Sequence, residues 1–510
     1  MRLPEVLKAP ARPAGRALLG AAALGALAAL GQAPLGFWWA TLAALALLTA
    51  WVARAPSVAR AVWIGWFAGA GMFGTAMYWI VDPFLVDPAR DLWMAPFAWL
   101  FLSFGMALFW ALAAGVGRWL GRGAAGRAIG FALALAGTDL LRTYLFTGLP
   151  WALVGHVWVG TWLAQADIFL GPVGLSLMTT LAAALPAALG RVRGTAVSAV
   201  GLVAVAGFGA WRVSQPIPPR ATPIEVRLIQ PNATQSQKWN PKMQYVFWER
   251  LLKATAAPVA KGRPPLDLIV WPETSAPFLL NDPGAGLDMI AEAAQGVPVA
   301  FGVQRGAGQR YYNSLAVMDH KGDIEAIYDK HHLVPFGEYV PYGDLLAKVG
   351  VSAFAAQEGN GYTPGSGPAV LDLGPKIGKV LPLICYEAIF PADLLNAPGR
   401  ADWILQVTND AWFGNFAGPY QHLAQTRLRA IEEGLPFLRA ANTGVTAVID
   451  PYGRVLKSLP LNTQGMIEAS VPGALAPPPY TRWGDWPVLW LILAGLAGVA
   501  LIGRRGQRAT

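Results

Sequence analysis

The sequence predicts a polytopic α-helical membrane protein, with about eight transmembrane helices and one mixed α/β domain outside the membrane. Three observations lead there. Apolar residues make up 55% of the 510-residue chain and charged residues only 14%, against roughly 25% charge in a typical soluble chain. The charge is segregated: residues 213–482 hold 22 basic and 23 acidic residues, whereas the two flanks hold 17 basic and 7 acidic ones. Apolar runs of bilayer-crossing length, about 20 residues, fill those flanks. A soluble cytosolic enzyme is excluded. The 22 Trp and 21 Phe exclude a disordered chain, and a single cysteine excludes a disulfide scaffold. The net charge of +9 would suggest nucleic acid. Its excess, however, lies wholly in the hydrophobic flanks, the pattern of basic loops at a membrane edge, and no nucleic-acid partner is expected.

Seven candidate spans precede residue 212, near 16–32, 36–53, 61–80, 93–117, 127–146, 162–189 and 194–211; an eighth lies near 485–503. The first has a long basic approach and is followed at once by further spans, so it reads as a retained helix rather than a cleaved signal. Basic residues set the orientation. The N-terminus, alternate loops (Arg54 and Arg60; Arg118, Arg122 and Arg127; Arg191 and Arg193) and the C-terminal tail carry nearly all of them, while the opposite loops hold Arg90, with Arg142 near a helix end. Both termini are therefore expected in the cytoplasm, with residues 213–482 on the other side, the periplasm in a two-membrane bacterium. An unpaired thiol agrees with that compartment. The expected domains are a membrane domain at 1–212, an extracytoplasmic domain at 213–482, and a C-terminal span with its tail at 483–510. Asp139, Arg142 and Asp167 fall in or near spans, where ionisable groups are costly. Asp139 and Arg142 stand at helical spacing and read as a structural pair.

Within 213–482, short apolar runs at 224–230, 267–271, 297–303, 381–385 and 403–408 read as strands buried on both faces. Runs flanking His320-Lys321-Gly322-Asp323 and Pro451-Tyr452-Gly453 read as hairpins. Helices are expected near 241–256, 284–295 and 419–433. Strands alternating with helices, plus added hairpins, predict a layered α/β fold. No phosphate loop, dinucleotide fingerprint or metal-ligand spacing occurs, and His331-His332 is a pair without a partner cluster. No cofactor or metal is expected.

Three residues stand at the carboxyl ends of expected strands, where reactive groups gather in α/β sheets: Glu273, Lys330 and Cys385. A thiol attacks as thiolate and needs a base. A carboxylate in a dry pocket can be tuned to that task, and an ammonium can stabilise the oxyanion of acyl attack. Together they would transfer an acyl group through a thioester. Each also has an ordinary reading: a packed cysteine, a capping or edge glutamate, a gatekeeping lysine. Spacing alone does not decide between them.

Their contexts do more. The stretch Tyr328-Asp329-Lys330-His331-His332-Leu333-Val334-Pro335-Phe336-Gly337-Glu338-Tyr339-Val340-Pro341 resembles the signature of bacterial apolipoprotein N-acyltransferases. Gln230-Pro231-Asn232, Lys238-Trp239, Trp271-Pro272-Glu273-Thr274, Tyr312-Asn313-Ser314, Ile384-Cys385-Tyr386-Glu387, the run from Thr408 to Gly414 and Ala441-Asn442-Thr443-Gly444 follow in that family's order. The membrane segment at 146–151 and the seven-plus-one layout are also similar, so the resemblance covers nearly the whole chain.

The resemblance implies a nitrilase-like (carbon–nitrogen hydrolase) αββα sandwich and a Glu-Lys-Cys triad. Glu273 would be the base, Cys385 the nucleophile and Lys330 the stabiliser of the tetrahedral intermediates, with Glu338 a further required carboxylate. Trp239, Asn313, Tyr386, Glu387 and Trp412, in or beside these motifs, are the candidate substrate-binding residues. The acyl donor would be a membrane phospholipid such as phosphatidylethanolamine, and the acceptor the free amine of a diacylglyceryl apolipoprotein. A monomer in the bacterial inner membrane is expected. Apolar loops at 351–356 and 412–416 are candidates for carrying acyl chains, or for packing on the domain. Two other functions compete: a membrane-tethered amidase or nitrilase, in which water resolves the acyl-enzyme, and a transporter or scaffold with an external domain, which would not need Cys385.

Overall fold

The computed structural model describes residues 13–238, 240–341 and 361–508. It divides into two compact units: residues up to Pro216 together with those from Pro478 onward, and Ile217–Pro477.

In the first unit all eight apolar segments are helical: α1 (Gly15–Ala29), α2 (Trp38–Ala53), α3 (Val58–Ala76), α4 (Ala95–Leu120), α5 (Gly123–Tyr144), α6 (Asp167–Leu189), α7 (Arg191–Ser214) and, at the end of the chain, a helix over Trp486–Arg508. Five of the described helices are long and apolar enough to cross a membrane, and α3 with its bent continuation Tyr78–Leu85 would make a sixth. The first two, at 15 and 16 residues, rise only about 24 Å at most, short of the roughly 30 Å hydrocarbon core. Pro34 and Gly36 (φ +65°) turn the chain between them. The expected span at 162–189 is also broken. Residues 162–166 form a 3-10 turn, and Gly171 takes a non-helical φ of 65° inside α6. The ring of Tyr480 lies where a Cβ on Gly171 would be.

Small residues let these helices approach, as membrane helices require. A Cβ on Gly25 would come within 1.8 Å of the Ala68 carbonyl oxygen, and one on Gly71 within 1.9 Å of that of Ala22. Valines on α7 stay open on its outer face, Val192 at 82% and Val200 and Val203 at 70%. The structural pair is present: Arg142 Nε lies 3.0 Å from Asp139 Oδ1, both side chains 1% exposed. Arg142 also donates to the carbonyl oxygens of Leu149 (2.8 Å), Trp151 (2.6 Å) and Ala152 (3.0 Å), while Asp139 Oδ2 accepts from Val154 N and Ser176 Oγ. The pair thus satisfies the irregular backbone after α5, which in an apolar medium must find partners inside the protein. Asp167 is fully buried in the first turn of α6.

The second unit holds two six-stranded sheets. The first contains β1 (Glu225–Gln230), β2 (Leu268–Val270), β3 (Val299–Ala307), β4 (Arg310–Met318), β5 (Ile324–Asp329) and β12 (Gly465–Ser470), in the order β12-β1-β2-β3-β4-β5. The second contains β6 (Leu371–Asp372), β7 (Lys379–Ile384), β8 (Trp403–Thr408), β9 (Phe437–Ala441), β10 (Thr446–Ile449) and β11 (Val455–Leu459), in the order β11-β10-β9-β8-β7-β6. The central strands are parallel (β1–β2–β3 and β7–β8–β9) and the outer ones antiparallel. Side chains alternate across each strand. Ile269, Trp271, Val299 and Phe301 pack under helices α8 (Pro241–Ala256) and α9 (Gly286–Ala294), with Trp248, Leu251 and Ile290. Their neighbours Leu268, Val270 and Ala300 are equally buried on the other face, where the two sheets meet. Ile404, Phe437 and Ala447 pack in the same way with Ala430 of α10 (Gly418–Glu433). Helix, sheet, sheet and helix make the expected αββα sandwich.

Removing Arg142 leaves Asp139 and three carbonyl oxygens buried without their donor, which costs about 3–5 kcal/mol for a broken buried pair. Arg142→Leu is therefore expected to lower the melting temperature of the detergent-solubilised protein by many degrees. Arg90→Leu, which removes an ion pair whose guanidinium is 69% exposed, should leave it nearly unchanged.

Candidate active site

Three strands, two of them central and parallel and one an antiparallel edge, lead into the site. β2 ends at Val270, three residues before Glu273; β5 ends at Asp329, one before Lys330; β7 ends at Ile384, one before Cys385. Two of the turns that follow carry backbone strain. Thr274 sits at φ +43° and Cys385 at φ +51°, a region costly for residues with a Cβ. Gly302 lets the Glu273 turn fold back on β3: a Cβ there would come within 2.4 Å of the Pro272 oxygen and 2.6 Å of Glu273 Cα.

The four expected chemical residues are brought together and buried: Glu273 at 6% exposure, Lys330 at 1%, Glu338 at 6% and Cys385 at 5%. Lys330 Nζ lies 2.9 Å from Glu338 Oε1, 2.8 Å from Oε2, and 3.8 Å from Glu273 Oε1. Asn313 Nδ2 bridges the two carboxylates, at 2.7 Å from Glu273 Oε1 and 3.2 Å from Glu338 Oε1. Glu273 Oε2 accepts the Asn409 backbone N–H at 2.7 Å, and Glu338 Oε2 accepts that of Val334 at 2.8 Å.

Burial pushes the Glu273 carboxyl above its ordinary value; the Lys330 ammonium opposes this and Glu338 reinforces it. Burial also pushes the Cys385 thiol well up, Glu273 adds to that, and Lys330 works against it. Burial disfavours the Lys330 ammonium, but the charges of Glu338 and Glu273 outweigh it and raise the pKa. The site thus pairs a thiol held protonated by burial with a stabilised ammonium and a Glu273 carboxyl whose proton affinity is raised in the direction a general base needs.

The candidate substrate-binding residues divide. Tyr386 is buried, edge-on to Phe390 at 4.9 Å and to His332 at 5.8 Å. Trp412 is half-buried in the turn Asp410–Phe413. Trp239 and the loop 351–356 lie outside the described residues. Glu387 and Asn313, the other two of these candidates, are both engaged by the protein itself. Glu387 is fully buried and accepts from Tyr328 Oη (2.9 Å) and the backbone N–H groups of Ile384 (2.7 Å), His331 (2.8 Å) and His332 (3.3 Å). These four donors satisfy its oxygens internally, so it ties the nucleophile turn to the lysine segment. Asn313 directs its amide group at the two carboxylates, and its buried Oδ1 has no partner among the described residues.

Sequence reading left His331-His332 without a partner cluster; the fold supplies Asp393. His331 Nε2 lies 3.4 Å and His332 Nδ1 3.2 Å from its carboxylate, and the three potential ligand atoms lie within 4.8 Å of one another. A metal would have to displace a proton here. Burial disfavours the His331 cation, but Asp393 and Glu387 overcome it and raise its pKa to about 10.

Sequence reading also missed a buried network behind the nucleophile. Gln406 Nε2 donates to the Cys385 carbonyl oxygen at 2.9 Å, and His422 Nε2 lies 3.1 Å from the same oxygen. His422 Nδ1 is 2.9 Å from Asp410 Oδ1, and Arg439 pairs with Asp410 and reaches Gln406 Oε1 at 2.5 Å. These contacts hold the strained Cys385 backbone. Asp410 stood in a quoted motif. Nothing in the pattern of Gln406, His422 or Arg439 marked them, since each is an isolated polar residue in an otherwise ordinary strand or helix.

The chain matches the carbon–nitrogen hydrolase family over residues 226–477 and the N-terminal domain of apolipoprotein N-acyltransferases over residues 24–185. It is 38% identical to the apolipoprotein N-acyltransferase of Allorhizobium ampelinum, covering 96% of both chains. The chain belongs to the apolipoprotein N-acyltransferase family. It is accordingly an enzyme of the acyltransferase class and a membrane protein. Its likeness extends to the apolipoprotein N-acyltransferase of Caulobacter vibrioides, at 39% identity over 84% of both chains. Among solved structures, a carbon–nitrogen hydrolase superfamily protein of Xanthomonas campestris is 21% identical, with a TM-score of 0.36, over 49% of this chain and 90% of that one.

The raised pKa of His331 gives a testable sign. A cation stabilised in the folded state contributes stability that is fully present below the unfolded value of 6.5 and is lost as pH rises through about 10. Melting curves of the parent and of His331→Gln should therefore differ most near pH 6. Their difference should shrink steadily toward pH 10.

Proposed function

We propose that this enzyme moves a fatty acyl chain from a membrane phospholipid, such as phosphatidylethanolamine, to the N-terminal amine of a diacylglyceryl-cysteine apolipoprotein, by a ping-pong route through Cys385. The observation that carries this reading is the Lys330 ammonium held between two carboxylates beside the chain's single thiol. Cys385 Sγ attacks the ester carbonyl as its proton passes to Glu273. The tetrahedral oxyanion forms beside Lys330, whose positive charge stabilises it. Collapse breaks the ester C–O bond, and the leaving alkoxide takes the proton from Glu273, giving a lysophospholipid and a Cys385 thioester. In the second half the α-amine attacks the thioester, the C–S bond breaks, and the amine's proton returns through Glu273 to the thiolate. Glu338 takes no proton in this scheme. It holds Lys330 charged and in place, while Glu387, by its internal contacts, positions the nucleophile turn. Tyr386, Trp412 and Trp239 are proposed to contact substrate.

We place residues 213–482 on the periplasmic side of the inner membrane with both termini in the cytoplasm, as the distribution of basic residues supports, and take the enzyme to act as a monomer. A second site for phosphoryl or metal chemistry is not needed: both half-reactions are acyl transfers between a thiol, an alcohol and an amine.

Incubating the purified protein with phosphatidylethanolamine should add one fatty-acyl mass, removable by neutral hydroxylamine, with release of lysophospholipid. Cys385→Ala should show neither, and Glu273→Gln should acylate slower by about 10²-fold or more, the range for a lost general base. Adding a diacylglyceryl peptide with a free N-terminus should discharge the adduct, whereas an N-acetylated peptide should not. Discharge by water at the same rate with or without peptide would favour an amidase instead.

A further inference from the structure

One charged group beside the site is unused in this mechanism. Lys238 ends the short helix Gln235–Lys238 and is 7% exposed. Its Nζ lies 2.5 Å from Thr274 Oγ1 and 3.3 Å from the Glu273 carbonyl oxygen. It therefore grips the one turn that presents the base, at the residue where that turn is strained (Thr274, φ +43°). Gly302 receives the turn from one direction, and Lys238 ties it down through its hydroxyl and carbonyl.

Burying a lysine is expensive, and fixing a turn does not require a charge: a neutral amide would reach the same two acceptors. The charge needs its own account. Lys238 interacts electrostatically with both Glu273 and Cys385. Without it, the cluster holds two carboxylates, Glu273 and Glu338, against one ammonium, Lys330. As the thiol's proton passes to Glu273 the count stays the same, with one negative charge now on sulfur or on the oxyanion in place of the Glu273 carboxylate. A second ammonium balances the excess in either state.

We propose that Lys238 is a second cationic positioning residue of this active site, which holds the Glu273 turn and whose charge makes the Glu273–Cys385 pair easier to ionise. This rests on Glu273 acting as base for Cys385. Burial lowers the Lys238 pKa to about 8, with Glu273 and Cys385 pulling it back up, so the ammonium predominates at neutral pH. The groups facing the pair are Lys330, Glu338, Lys238 and Tyr362 around Glu273, and Lys330, Lys238, Asp410 and His422 around Cys385. The sign follows directly. A cation favours the ionised forms of a carboxylic acid and of a thiol alike, so removing it moves both titrations to higher pH.

The test is alkylation of Cys385 by iodoacetamide in the detergent-solubilised full chain, followed by intact mass from pH 5 to 9. It needs no knowledge of the acyl donor. Lys238→Gln keeps a donor for Thr274 and the Glu273 carbonyl but removes the charge. Lys238→Met removes both with a side chain no larger than lysine, beside the small cavity lined by Lys238, Phe247, Leu251, Thr274 and Asn442. Lys238→Arg keeps the charge. Both uncharged variants should move the rising limb up by about one pH unit, which makes alkylation about tenfold slower at pH 7. The Arg variant should stay within about threefold of the parent, and Lys242→Met, at an exposed position, should match it. A parental limb in either uncharged variant at an unchanged melting temperature overturns the inference, as does a shift in the Met variant alone, which would make Lys238 a structural tie only. Glu273→Gln in the same assay separates the two ideas. If it leaves the limb where it was, the base assignment itself fails.

Discussion

The buried Lys330 ammonium is the constraint on which the rest of the site depends. A cation this enclosed is not tolerable alone, so its surroundings are organised to keep it charged. Glu338 meets it with both oxygens, at 2.8 and 2.9 Å, whereas Glu273 stands back at 3.8 Å. The asymmetry divides the labour between two otherwise similar carboxylates. The close one is neutralised by its ion pair and can do little else. The distant one has a proton affinity raised by burial and by Glu338, which suits it to the base role proposed above. Asn313, by donating to both, fixes the spacing that makes the difference. The segment carrying Glu338 is closed on itself by reciprocal bonds with Val334: the Glu338 N–H to the Val334 oxygen, and the Val334 N–H to Glu338 Oε2, each 2.8 Å.

A second knot keeps the nucleophile in register with that cation. Glu387 follows Cys385 by two residues and binds backbone N–H groups on both sides of the site, Ile384 before the nucleophile and His331 and His332 after the lysine. Behind it, Gln406 and the Asp410–Arg439 pair with His422 secure the Cys385 carbonyl. A residue at φ +51° costs of order 1–3 kcal/mol to hold. Such strain persists only where several contacts over-determine the conformation, as they do here. The two knots come from different strands, so the distance from thiol to ammonium is set by the sandwich itself rather than by a loop.

Much of this was legible before the fold was seen, and what was not has a physical reason. The apolar strands and the hairpins at 320–323 and 451–453 emerged where alternation or continuous hydrophobicity was clean. β9 was missed because Arg439 interrupts its apolar run; that arginine is fully buried in the network behind Cys385, so a residue that reads as solvent-facing lies in the core. β12 was missed because it pairs antiparallel with β1 from the far end of the domain, and a pairing of that range leaves no local trace. The site residues stood out through the motifs around them. Their division of roles did not: nothing in the order of residues says that Glu387 faces inward to backbone donors, that Asp393 comes up to His331 and His332, or that Lys238 lies against the Glu273 turn. Those follow from which strand ends meet. The helices at 15–29 and 38–53 show the converse limit, for apolar composition predicted spans and the turn at Pro34 and Gly36 shortened them.

The thiol's resting state fits the acyl-transfer role proposed for it. A cysteine activated in advance, with its pKa pulled below neutrality, is a standing thiolate open to oxidation. Here the opposite arrangement holds. Burial and the nearby carboxylate keep Cys385 protonated, and Lys330 alone does not reverse it. On the proposed route, ionisation becomes favourable only when negative charge can move from sulfur onto a carbonyl oxygen within reach of the ammonium, that is, in the transition state of acyl transfer. The electrostatic stabilisation is thereby reserved for the transition state rather than lavished on the resting enzyme, which is the condition for it to raise the rate. For the proposed base, a buried carboxylate suits the thiol better than a free surface one. A carboxylate with an ordinary pKa would match the thiol too poorly to take its proton even transiently, whereas burial raises the proton affinity of Glu273.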